Sequence, residues 1–346
     1  MTWPGVLTEL SGRRDLPRHE AVWAMRQILA GEATPAQLGA YVVALRAKGE
    51  TVEELSAMAD TMLEFATPIE IGEHAVDIVG TGADRANTVN ISTMAAIVAA
   101  GAGARVVKHG NRAASSACGA ADVLEALGVV IDLRPEEQMR VVDEVGIGFL
   151  FAPLYHPALR HAGPVRSQLG IPTTFNFLGP LANPAQPVAQ AVGVADVRMA
   201  ALMAGVFAGR GNQGLVFHGE DGLDELTTTT ASQVWSYVDG SVTTGVLDPA
   251  ELGIPRGRPA QLVGGNAAVN AAVATELLNG KAGPVRDIVL LNTAAGLVSW
   301  DLAHDHTLGE QDIRARFRDK MAVAAETIDS GAAAAKLEAW VAATRR

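Results

Sequence analysis

The chain has one cysteine, Cys118, among its 346 residues. No internal disulfide can form, and a reducing compartment is the simple expectation. Positive charge is also in short supply. Lys and Arg number 27 against 38 Asp and Glu, a formal net charge of -11. Such a surface repels a nucleic-acid backbone. Long apolar runs are missing too: the longest, residues 94–104, is far short of the roughly 20 residues that cross a bilayer. Residues 1–31 mix charges throughout and lack the cationic-then-apolar order of a secretory signal. The expectation is a cytoplasmic protein with neither nucleic acid nor membrane as partner. What is present is an apolar content of 49% with 19% charged residues, the composition of an ordered globular chain. This length allows one or two domains.

Residues 1–71 read as helices. Apolar residues recur at steps of three and four, Thr34-Pro35 looks like a helix start, and Thr51 with Glu54 makes a capping box. From Ala75 the period changes. VDIVG, RVVKH, VVIDL and IGFLF are short runs rich in Val and Ile, with helical stretches between them. That alternation predicts a parallel sheet covered by helices, with ligands beyond the carboxyl ends of the strands. Residues 153–187 interrupt it. HPALRHAGPVRSQLG looks helical, with an irregularity at Pro164, and NFLGPLANPAQP reads as a connection or hinge. The chain is expected to return here to the helical layer. Strand and helix then resume through QAVGVA, GLVFHG and QVWSYVDGSVTTGVL. RDIVLLNTAAGL reads as one more strand and helix, and the tail from Glu310 as helical.

Two Gly-rich turns follow the first two strands. Gly80-Thr81-Gly82-Ala83-Asp84 leads into Asn90-Ile91-Ser92-Thr93. Read blandly, it joins strand to helix, with Ser92 or Thr93 as the N-cap. It fails the GxGxxG dinucleotide spacing, because Arg85 stands three residues after Gly82. Lys108-His109-Gly110-Asn111-Arg112 leads into Ser115-Ser116 and Gly119. Two cations, a glycine and two hydroxyls there fit a pyrophosphate better than a solvated loop. Backbone N–H groups in such turns, and at the start of the next helix, attract anions. Asp122 and Glu125 fit helix capping and solvation.

Asp224-Glu225 would ordinarily be solvated surface charge. Mg²⁺, however, is commonly held by one or two carboxylates plus substrate phosphates. An acidic pair gains weight beside two phosphate-like turns. Arg166, with Arg160 and His161 nearby, is either a surface residue or, if aimed into the cleft, a carboxylate clamp.

GTGAD with NIST, KHGNRAASS with ADVLEALG, NFLGPLANP and GLDEL, in this order, resemble the anthranilate phosphoribosyltransferases. The similarity covers nearly the whole chain. It implies a small all-helical domain plus a larger α/β domain with a central, mostly parallel sheet, the fold of pyrimidine nucleoside phosphorylases. The expected division is 1–71 with 155–187 against 72–154 with 188–346. The resemblance further implies a homodimer through the helical domain. The donor would be 5-phosphoribosyl 1-diphosphate with Mg²⁺, and the acceptor anthranilate. Position by position, Gly80, Ala83, Asp84, Thr88, Asn90, Ser92 and Thr93 would hold the donor. Lys108, Asn111 and Ser116 would grip its phosphates and pyrophosphate, with Arg112, Ser115 and Ala120 among the other substrate-binding residues. Ser92, Asp224 and Glu225 would ligate Mg²⁺. Gly80, His109, Asn111 and Arg166 would line the anthranilate side, with His109, Asn111 and Arg166 closest to the chemistry. The family usually has Gly where this chain has Ala83, and Ser or Gly where it has Ala120. Three alternatives stand beside this reading. They are a pyrimidine nucleoside phosphorylase using inorganic phosphate, a paralogue using another aromatic amine, and a non-catalytic nucleic-acid-binding relative, which the acidic balance disfavours.

Overall fold

The computed structural model describes residues 1–71, 74–82, 84–113 and 117–346. Four helices open the chain: α1 (Trp3–Ser11), α2 (Arg18–Leu29), α3 (Pro35–Lys48) and α4 (Val52–Glu64). Thr34 and Thr51 cap α3 and α4 through complete capping boxes with Gln37 and Glu54. Each such cap contributes about 1 kcal/mol. Glu54 also accepts the N–H of Leu16 and pairs with Lys48, both at 2.8 Å, so one buried carboxylate ties three segments of this layer.

Alternation follows with β1 (Val76–Gly80), α5 (Ile91–Gly101), β2 (Val106–Gly110), α6 (Ala120–Ala126), α7 (Pro135–Val145) and β3 (Ile147–Phe151). The chain then runs through α8 (Ala152–Tyr155), a 3₁₀ turn (Pro157–His161), α9 (Gly163–Leu169) and α10 (Phe175–Leu181). It returns to the sheet as β4 (Ala189–Gly193), α11 (Val197–Gly209), β5 (Gln213–Gly219), β6 (Ser232–Val238) and β7 (Ser241–Leu247). Helices α12 (Ala267–Leu278), α13 (Pro284–His304), α14 (Ile313–Asp329) and α15 (Ala332–Thr344) complete it.

The strands form one sheet in the order β3-β2-β1-β4-β5-β6-β7. β1 to β5 are parallel, and β6 and β7 add an antiparallel meander. The architecture is therefore a helical domain with a larger α/β domain on a mostly parallel sheet. Side chains alternate across the strands. Val79, Val192, Val216 and Tyr237 face a core shared with α1 to α4, α10 and α11. Ile78, Ala191, Leu215 and Val234 face the opposite core, built on α5 and α13. β1 has β2 on one side and β4 on the other. The crossovers diverge there, and a crevice opens beyond the carboxyl ends.

Three local expectations need correction. VVIDL is not a strand. Its alternating Val129, Ile131 and Leu133 are buried, but the N–H of Val130 goes to the Thr344 hydroxyl at 3.2 Å rather than to a neighbouring strand. RDIVLLNTAAGL contains no strand either, because it lies wholly inside α13, which begins with Pro at its first turn. That helix is buried along most of its length, and an apolar run buried all round carries no period to tell helix from strand. Residues 176–181 of the expected hinge are helical, in α10, with Pro180 inside it. The irregularity expected at Pro164 is present: the 3₁₀ turn ends at His161 and α9 starts anew with Pro164 in its first turn.

Candidate active site

The two Gly-rich turns leave β1 and β2 side by side. With the loop after β5 and helices α9 and α10 they enclose a cavity of about 340 Å³. Gly80, Asp84, Thr88, Asn90, Ser92, Thr93, Lys108, His109, Asn111, Arg112, Ala120, Arg166, Asp224 and Glu225 all line it. Ala83, Ser115 and Ser116 lie outside the described residues.

The acidic pair is buried, contrary to its ordinary surface reading. Asp224 and Glu225 are each 7% exposed. Two glycines let their loop in: a side chain on Gly193 would collide with the Asp224 backbone, and one on Gly80 with its carboxylate. Asp224 Oδ2 accepts the N–H of Gly82 at 2.6 Å, and Glu225 Oε1 accepts the N–H of Ser92 at 3.2 Å. Burial, then the charge of Asp84, pushes Asp224 up to about 7. Burial and the neighbouring Asp224 push Glu225 well above the usual carboxylate range. Lys108 is the buried cation beside them, and its ammonium donates to the Ile78 carbonyl at 2.5 Å and the Ser92 hydroxyl at 3.1 Å. Burial pulls its pKa down, while Asp77, Glu225 and Asp224 pull it up. The site is short of positive charge, and hard oxygen donors in that state fit a divalent cation such as Mg²⁺. Among the described residues no group of three or more His, Cys, Asp or Glu forms a metal cage. Two adjacent carboxylates fit a metal that takes its remaining ligands from substrate and water.

The first turn is held by its neighbours. Thr88 bridges to Val263, and the N–H groups of Val89 and Gly264 donate to Leu262 and Asn87 at 2.9 and 2.8 Å. Arg85 and Asn87 adopt positive φ, 60° and 51°, strained positions for side-chain-bearing residues. Asn90, rather than Ser92 or Thr93, is the N-cap of α5. Its side chain donates to the Cys118 carbonyl at 3.1 Å and accepts from Asn270 at 2.8 Å. The Thr93 hydroxyl is buried and has no partner among the described residues.

In the second turn, Arg112 is already neutralised. It pairs with Asp122 at 2.9 Å and Glu125 at 2.5 Å and lies over the Phe151 ring. Asp122 also closes the N-terminus of α6, accepting from Gly119 at 2.8 Å. The Asn111 side-chain oxygen accepts the N–H of Arg112 at 2.7 Å. His109 is buried, with Nδ1 3.0 Å from the Gly179 carbonyl. A carbonyl can only accept, so Nδ1 carries the hydrogen and Nε2 is a bare acceptor. Nε2 has no partner among the described residues. Burial first, then His156, lowers the ring to about 3. Arg166 sits across the cavity with its guanidinium 5.5 Å from the centre of the Phe175 ring. Burial lowers its pKa, and among the described residues it has no carboxylate partner.

Three contributors escaped the sequence. Asn176 lines the cavity and stands in NFLGPLANP, where it could have been singled out. Asp77 lies beneath the site, accepting from His109 N–H at 3.3 Å and Asn183 at 2.9 Å, and burial raises it to about 6. Its signal was a charge inside the apolar run VDIVG. Asn270, far along the chain, has no local signal.

Residues 72–334 match the family described as Glycosyl transferase family, a/b domain, and residues 4–66 its helical bundle domain. A curated relative from Leifsonia xyli subsp. xyli, named anthranilate phosphoribosyltransferase, is 56% identical over 344 residues, covering 99% of each chain. The chain belongs to the anthranilate phosphoribosyltransferase family. The crystal structure of an anthranilate phosphoribosyltransferase from Thermus thermophilus superposes with a TM-score of 0.89 at 40% identity, covering 99% of both chains. An anthranilate phosphoribosyltransferase from Saccharomyces cerevisiae, in complex with PRPP and Mg, superposes with a TM-score of 0.88 at 27% identity, covering 99% of this chain and 98% of that one. No helix among the described residues is long and apolar enough to cross a membrane.

Proposed function

We propose that this cavity transfers the 5-phosphoribosyl group of 5-phosphoribosyl 1-diphosphate to the amine of anthranilate, releasing diphosphate. One observation carries the assignment of residues. The cavity holds two opposite deficits, buried carboxylates at Asp224 and Glu225 short of positive charge and a guanidinium at Arg166 without an anion. A donor bringing Mg²⁺ and diphosphate meets the first, and an aromatic carboxylate meets the second.

Asp224, Glu225 and the Ser92 hydroxyl would hold Mg²⁺, which when bound offsets the charge growing on the departing diphosphate. The chain's own groups do the rest. Gly80, Asp84, Thr88, Asn90 and the free Thr93 hydroxyl place the phosphoribosyl unit against the turn, a backbone environment suited to anions. Lys108, fixed on Ser92, adds positive charge behind it. Asn111 and Arg112 face the diphosphate, with Arg112 moving from Asp122 and Glu125 to phosphate oxygen. Breaking C1–O gives an oxocarbenium-like state and leaves the electron pair on diphosphate. The anthranilate nitrogen then forms the N–C1 bond and its surplus proton leaves to solvent. Arg166 clamps the carboxylate, and His109 Nε2 accepts an amine hydrogen. A ring titrating near 3 orients the amine and is a poor base at neutral pH. Holding the amine near C1 supplies much of the acceleration.

The proposal extends to a cytoplasmic homodimer formed through the helical domain, with 155–187 belonging to that domain. The core that unites α1 to α4 with Phe175, Phe177 and Leu178 supports the last point. The test is product stoichiometry. Each anthranilate consumed should release one diphosphate, with no consumption when inorganic phosphate replaces the donor. Consumption without diphosphate would end the proposal.

A further inference from the structure

A second cavity, of about 190 Å³, lies at the far edge of the sheet, between the β6–β7 hairpin and the start of α14. It is four strands along from β1, which carries the first turn of the active site. Val234, Ser236, Thr243 and Gly245 share the sheet face that lines it, since Val234 pairs with Gly245 and Ser236 with Thr243. Ile313 and Arg316 close the other side. Gly245 opposes Val234 without a side chain, and a Cβ there would meet nothing within 4 Å. That missing side chain helps keep the cavity open.

Arg316 is the anomaly. It is 8% exposed, and its Nε and Nη1 are buried with no partner among the described residues. The carboxylates that act on it at a distance, Asp301 and Asp312, are engaged elsewhere. Asp301 pairs with Lys320 at 2.5 Å, and Asp312 caps α14 through the N–H of Arg314 at 3.1 Å. Two buried guanidinium nitrogens without acceptors destabilise a fold, and an apolar side chain of the same length would serve the core better. Its presence is explained if a ligand supplies the missing acceptor.

We propose that this cavity binds a small organic carboxylate with an apolar tail, its two oxygens bridging the Arg316 guanidinium. A guanidinium fork matches a carboxylate in two parallel hydrogen bonds. Val234 and Ile313 offer the tail an apolar wall, and the hydroxyls of Ser236 and Thr243 accommodate one polar substituent. Phosphate fits less well. Arg316 is the sole cation among the lining residues, and a second negative charge would be repelled by Asp301 and Asp312.

The experiment follows the Arg316 Nε–H resonance, assigned by its loss in Arg316→Met, while full-length protein is titrated with 4-methylpentanoate and separately with inorganic phosphate. The wild type should show a saturable shift with the carboxylate, at a Kd of about 1 mM or tighter. Arg166→Ala should keep that shift, which separates this cavity from the acceptor site. Gly245→Leu, with an added side chain filling the space, should abolish it while the resonance itself persists. Calorimetry on Arg316→Met should show at least tenfold weaker binding of the same probe. A resonance that stays fixed, one that responds only to phosphate, or an unchanged titration in Gly245→Leu would overturn the proposal.

Discussion

The carboxylate of Asp224 accepts the backbone N–H of Gly82 at 2.6 Å, joining residues 142 positions apart. This bond closes the acidic loop over the first Gly-rich turn. Gly193 makes the approach feasible, because any side chain there would overlap the Asp224 backbone. Gly193→Ala should therefore push the loop off the turn. The expected cost is roughly 1–3 kcal/mol of stability, together with a raised Mg²⁺ requirement. Thermal melts and turnover against Mg²⁺ concentration check it, and a variant with both unchanged would show that the loop is seated by other contacts.

Asp224→Asn with Glu225→Gln keeps the shape of both side chains and removes their charge. Turnover should fall at least about a hundredfold, or roughly 2.7 kcal/mol of barrier. The melting temperature should hold or rise, since the amides carry no charge for burial to disfavour. Activity near wild type at saturating Mg²⁺ would take the pair out of the mechanism.

Arg166→Ala should act on one substrate. Loss of a charged hydrogen bond is worth roughly 1.5–3 kcal/mol, which is about a 10- to 150-fold rise in KM for anthranilate. The donor KM should change little. Equal rises for both would assign Arg166 a structural role.

His109 gives a pH signature. Its folded pKa, about 3, lies below the unfolded value near 6.5. The unfolded chain thus binds the extra proton first. The stability contributed by the neutral ring is complete above about pH 6.5 and is lost progressively as pH falls towards about 3. The slope from this one group is at most roughly 1.4 kcal/mol per pH unit. Denaturant melts across this range should show a shallower slope in His109→Asn, which keeps an oxygen acceptor, and more residual activity than in His109→Ala. An unaltered slope would mean that the ring is protonated or exposed in solution.

Most of the candidate site's lining was legible because its parts are local. Gly80 at the end of β1 with Gly82, Lys108 inside β2 with Asn111, and Asp224 with Glu225 each fall in a short stretch whose residue types together point to anion and metal binding. The parallel sheet was legible for the same reason, in runs bounded by glycine. The missing parts are those that local pattern cannot show. α13 is buried along most of its length, so its Val and Leu run mimicked a strand. VVIDL alternates as a strand does, yet it packs beside α15 rather than pairing. The charge of Arg112 is cancelled by two acids from the next helix. The support of Asn90 by Asn270, 180 residues away, exists only in three dimensions.

The most direct measurement is the decay of anthranilate fluorescence on mixing with protein, 5-phosphoribosyl 1-diphosphate and Mg²⁺. The decay should need all four components and vanish when Mg²⁺ is chelated or when Asp224 and Glu225 are both neutralised. A decay that persists without the donor or without Mg²⁺, or none with everything present, would contradict the proposed reaction.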